Sequence, residues 1–156
     1  VIILAVDPGI NTGWARVRDG RLSSCGLVRA ATPRALRQMV EERSPFDRLV
    51  VEKPQVYRSR KSRGDPNDLI DVAVFAGCVL GAADAAEERF AHELVVPRDW
   101  KGTIDKDVMI RRVLAWLRED ERGVFERAGA PASLAHNVVD AVGLGIWYAR
   151  RLGERE

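Results

Sequence analysis

The order of its segments predicts an α/β fold for this chain, a five-stranded mixed sheet with helices on both faces. The first sign is a run of three strand-like segments, residues 1–7, 12–18 and 21–28, whose last two meet at the hairpin turn Arg18-Asp19-Gly20. The second is the alternation of helical and strand-like segments that follows, the pattern of parallel strands joined through helices. The third is a segment spanning residues 133–152, apolar nearly all round its middle, which reads as a buried helix.

Each element has a local cause. Val1-Ile-Ile-Leu-Ala-Val-Asp7 shows no alternation of apolar and polar residues, so it reads as a strand buried on both faces. Residues 33–43 form a helix capped by Thr32 with Pro33 at its first position. Asp47-Arg-Leu-Val-Val-Glu52 is a short strand, and Asp65-Pro66 precedes a long helix over residues 67–88. Glu93-Leu-Val-Val96 is the last strand, closed by Pro97, and residues 105–118 form an amphipathic helix. The polar stretch 119–131 reads as a connection through Pro131 to the final helix. With no internal repeat or linker, residues 1–156 are expected to form a single domain.

Composition excludes several classes. No apolar run approaches the roughly 20 residues that span a bilayer, and the first apolar run lacks the length and basic flank of a signal peptide. Cys25 and Cys78 form no CxxC pair, which argues against a disulfide framework or zinc site and for a cytoplasmic location. The net charge of +2 hides a concentrated basic loop: Lys53, Arg58, Arg60, Lys61 and Arg63 fall within residues 53–63, with Tyr57 and no acid among them. A solvated surface loop would account for this. Basic charge beside an aromatic also suits nucleic acid, with Arg58, Arg60, Lys61 and Arg63 on phosphates and Tyr57 stacked on an exposed base.

The candidate chemistry lies in carboxylates. Asp7 ends an apolar strand before Pro8-Gly9, a rigid placement that suits a metal ligand or general base, although Asp also caps such turns. Glu52 ends the fourth strand. If these strands are adjacent and parallel, the two carboxylates meet at one end of the sheet. Asp140 lies in the apolar helix, where an unpartnered acid would cost several kcal/mol or be protonated. His136 and Asn137 precede it at helical spacing, so either shares its face. A cluster of mutually repelling acids makes sense when divalent cations neutralise it, and hard oxygen ligands favour Mg²⁺ or Mn²⁺. Each acid also has a structural reading: Glu52 paired with Lys53 or a nearby Arg, Asp140 bonded to a backbone amide, His136 as a packed or capping histidine. Trp14, Trp116 and Trp147 read as core or rim aromatics, while Trp100 beside basic residues fits either a core or a site role.

In family order, the chain resembles the RuvC-type Holliday junction resolvases of the RNase H-like nuclease superfamily. The residues that carry the resemblance are Leu4-Ala-Val-Asp7-Pro-Gly9 with Thr12-Gly13, then Val50-Val-Glu52 with Gln55-Val-Tyr57. They continue with Val96-Pro97 through Trp100-Lys101, Ile104-Asp-Lys106 with Val108-Met109, and His136 through Asp140-Ala141. Short length and loop differences look like a phage or otherwise divergent member.

The resemblance implies an RNase H-like sheet with three antiparallel and two parallel strands. It implies a homodimer, away from membranes, that nicks four-way or branched DNA symmetrically with divalent metal. Asp7, Glu52 and Asp140 match the family's metal-binding acids. The family's fourth ligand, an Asp or His, stands three positions before the last Asp; here Asn137 holds that position and His136 the one before, and imidazole is the better ligand. Lys101 and Lys106 match basic positions near the scissile phosphate and would balance its charge, although solvation at the helix start would equally explain Lys106. The expected chemistry is phosphodiester hydrolysis with two Mg²⁺ or Mn²⁺ ions about 4 Å apart. The rivals are another RNase H-like nuclease acting on branched DNA or RNA:DNA hybrid, and a catalytically inactive DNA-binding module. An actin-like ATPase would need a duplicated domain and far more chain.

Overall fold

The computed structural model describes residues 1–55, 66–86 and 90–154. Five strands form one sheet: β1 (Ile2–Asp7), β2 (Thr12–Arg18), β3 (Arg21–Val28), β4 (Arg48–Glu52) and β5 (Ala91–Val95), in the spatial order β3-β2-β1-β4-β5. The first three pair antiparallel, and β4 joins β1, and β5 joins β4, in parallel. The β2–β3 hairpin closes on Asp19 and Gly20, both at positive φ (49° and 72°), as a tight two-residue turn requires.

The helices are α1 (Pro33–Glu41), α2 (Pro66–Ala86), α3 (Pro97–Trp100), α4 (Lys106–Trp116), α5 (Glu119–Arg127) and α6 (Ala135–Arg151). Thr32 caps α1 by accepting the Ala35 N–H at 3.2 Å. β1 is buried on both faces because its residues alternate between two cores. Ile3 and Ala5, with Ala15, Val17 and Val50, pack under α4 and α6. Leu4 and Val6, with Leu49 and Val51, pack under α1 and α2. Helices therefore cover both faces of a five-stranded mixed sheet.

Two expectations need correction. The polar stretch 119–131 contains the helix α5. Glu119, Asp120 and Glu121 place negative charge in its first turn, where the helix dipole favours it. The buried Glu121 carboxylate accepts the Arg118 N–H and the Leu22 N–H, each at 2.8 Å, tying α5 to β3. The second correction concerns apolar length. Residues Asn67–Ala86 of α2 are long and apolar enough to cross a membrane by length and composition, because its acids sit toward its ends, and only 22% of the segment is buried.

Candidate active site

Strand register brings the first two acids together. β1 and β4 run parallel, with Val6 opposite Val51. Asp7 and Glu52 each come one residue later, so both carboxylates leave the sheet at the same end. Asp7 lies opposite Gly13 on β2. That glycine admits α6. A Cβ at position 13 would lie 1.9 Å from the Asn137 carbonyl oxygen, so the helix backbone rests directly on the strand. The close approach sets α6 over the sheet and brings Asp140 to the strand ends.

Lys101, at the end of α3, completes the cluster. Its ammonium donates to Glu52 Oε1 at 3.0 Å and to Asp140 Oδ2 at 3.1 Å. Trp100 Nε1 donates to the other Glu52 oxygen at 2.8 Å. The Trp100 ring is positioned by Gly143 of α6, where a Cβ would meet the ring at 2.7 Å. Trp100 is thus a buried group whose indole N–H meets the polar partner such a group requires. Its partner in the site was not assigned from sequence; an indole beside the basic residues Arg98 and Lys101 was the available signal.

The electrostatics follow from crowding. Burial, then the charges of Glu52 and Asp140, push the Asp7 carboxyl well above the usual range, and Lys101 offsets this only in part. Burial also raises Glu52, opposed by the charge and hydrogen bond of Lys101. Burial works against the Lys101 ammonium, but Glu52, Asp140 and Asp7 outweigh it and hold the group above its ordinary value. Burial and then the Lys106 charge lower His136, against the opposing pull of Asp140. His136 therefore lies within electrostatic reach of both Asp140 and Lys106. Asn137 is engaged differently: its side-chain amide donates to the Leu134 carbonyl at 3.3 Å. Lys106 is exposed at the first position of α4.

Among the described residues no group of three or more His, Cys, Asp or Glu side chains is arranged to hold a metal ion. The Lys101 ammonium lies between Glu52 and Asp140, 3.0 Å from one and 3.1 Å from the other. The donor chemistry still fits a hard divalent ion, since carboxylates on three elements face one poorly solvated point and disfavour one another's charge. Tyr57, Arg58, Arg60, Lys61 and Arg63 lie outside the described residues.

No protein-family model and no curated protein matches the chain. Solved structures do. A T. thermophilus RuvC in complex with a Holliday junction substrate superposes with a TM-score of 0.66 at 21% identity, over 99% of this chain and 97% of that one. The yeast mitochondrial Holliday junction resolvase Ydc2 superposes with a TM-score of 0.63 at 12% identity, over 97% of this chain and 79% of that one. The resemblance read from the ordered motifs is thus met in three dimensions: the chain has the RNase H-like fold of the RuvC-type Holliday junction resolvases.

Proposed function

We propose that this chain is a metal-dependent endonuclease that resolves Holliday junctions by paired nicking of DNA phosphodiesters. The observation that carries the reading is the convergence of Asp7, Glu52 and Asp140 with Lys101 at one end of the sheet. Such a charged cluster is costly as structure and serves phosphoryl chemistry well. Asp7, Glu52 and Asp140 would hold Mg²⁺ or Mn²⁺, which when bound would activate water and steady the leaving oxygen. Lys101 and the exposed Lys106 supply positive charge for the phosphate. Trp100 fixes the Glu52 carboxylate by its hydrogen bond. The test is cleavage of a four-way junction, a Y-fork and an RNA:DNA hybrid with Mg²⁺, Mn²⁺ or EDTA. Metal-dependent, paired nicks in the junction support the reading, and a preference for the hybrid would sink it.

Two observations support a choice for the fourth ligand. The Asn137 amide is turned to a backbone carbonyl, while His136 senses the charge of Asp140. We therefore assign the role to His136. His136→Ala is expected to slow single-turnover cleavage by about 100-fold, and Asn137→Ala by far less. The opposite ranking would move the role to Asn137.

A homodimer is the proposed assembly, because one site must act twice on a symmetric junction. Ala73, Gly77, Gly81 and Ala85 of α2 form a small-residue stripe that is exposed, with Ile70 and Val74 beside it at 61% and 55% exposure. The sheet contact is made instead by Ala76, Val79, Ala82 and Ala83. Beyond their own helix backbone and chain neighbours, no described atom lies within 4 Å of a Cβ placed on Gly77 or Gly81. Gly81→Leu should accordingly leave the fold and its melting temperature intact while shifting the protein to monomer in sedimentation velocity. An unchanged dimer would place the interface elsewhere.

A further inference from the structure

Glu52 ends a strand and Asp140 sits on a helix, yet one ammonium binds both, at 3.0 and 3.1 Å. The pairing satisfies two carboxylates that would otherwise repel in a poorly solvated site. It also blocks them, since a cation shared by these acids needs the space that Nζ fills. Lys101 caps a helix of four residues, and Gly102 follows at φ 68° among exposed neighbours. A lysine stem has four rotatable carbons and can swing without moving the backbone. The ammonium also lies 5.1 Å from the centre of the Trp100 ring, whose face favours a cation on that side.

We propose that Lys101 is an exchangeable counter-ion. In the metal-free protein it bridges Glu52 and Asp140; the divalent ion displaces it, and its ammonium passes to the DNA phosphate. The inference rests on the metal-dependent reading above. It adds a coupling: whatever draws Lys101 away from the acids strengthens metal binding, and metal binding in turn frees Lys101 for the phosphate.

The experiment measures Mn²⁺ binding to the full chain without DNA, by electron paramagnetic resonance of the free ion, for wild type and Lys101→Met. Removing the competitor should tighten Mn²⁺ binding by about 10-fold, a coupling of ordinary size. In EDTA the variant should melt below wild type, because its acids lose their partner, and saturating Mn²⁺ should raise its melting temperature more than that of wild type. Should Lys101→Met fail to fold, Lys101→Gln keeps the length and removes the charge. Equal or weaker Mn²⁺ affinity in a folded variant, beside a wild type that binds Mn²⁺ and cuts junctions, would overturn the counter-ion and leave the nuclease reading standing. A wild type that neither binds Mn²⁺ nor cuts with it would overturn both.

Discussion

Asp7→Asn and Asp140→Asn should each slow junction cleavage by about 1000-fold or more, equivalent to about 4 kcal/mol of transition-state stabilisation. Junction binding measured in EDTA should stay close to wild type, because in the proposed mechanism these acids serve chemistry and carry no attraction for phosphate. Wild-type cleavage by either variant would end the proposed mechanism. The same Asp7→Asn change should not weaken the fold. Burial and the neighbouring Glu52 and Asp140 charges raise the Asp7 carboxyl in the folded chain. Between the ordinary carboxylate range and that raised value, the folded state keeps a proton that the unfolded chain has released. Metal-free stability therefore falls as pH rises through this window. Asn carries no such penalty. The variant should be at least as stable as wild type at neutral pH in EDTA, and the difference should vanish once the pH drops below the ordinary carboxylate range. Urea unfolding across pH checks the sign.

Gly13→Ala is expected to destabilise the protein by about 3 kcal/mol or more, at the upper end of overpacking costs. The added methyl would meet the Asn137 carbonyl oxygen at 1.9 Å and its carbon at 2.4 Å. Both are backbone atoms, so no side chain can turn aside. Either α6 lifts from β2 or the strand bends, and in both cases Asp140 moves away from Asp7. Activity should therefore fall further than stability in the fraction that remains folded. Denaturant midpoints, with cleavage normalised to folded protein, measure the two losses separately. A variant as stable and as active as wild type would mean that α6 does not rest on Gly13.

What could be read from the chain follows a physical line. The strands were legible because unbroken apolar runs such as Ile3-Leu-Ala-Val6 serve two cores at once, and that pattern is local. The meeting of Asp7 and Glu52 followed once β1 and β4 were taken as parallel neighbours. The helix α5 was not legible. Its apolar residues are few, and part of what holds it is the bond from Leu22 to Glu121, a contact across 99 residues. The same holds for Gly13 beneath Asn137 and for Trp100 against Gly143. Both depend on surfaces that meet only after folding. Lys101 was placed near the scissile phosphate by resemblance, whereas its two carboxylate partners emerged from geometry.

The separation of the two cores has a consequence for how such a chain can change over time. One face of the sheet carries α4, α5 and α6, with Asp140 among them; the other carries α1 and the outward stripe of α2. The strands between them act as a firewall. Substitutions that reshape the α2 surface need not disturb the spacing of the acids, and repacking under α6 need not alter that surface. A lineage can therefore rework the outer surface of α2 on one side while the carboxylate end of the sheet stays in place.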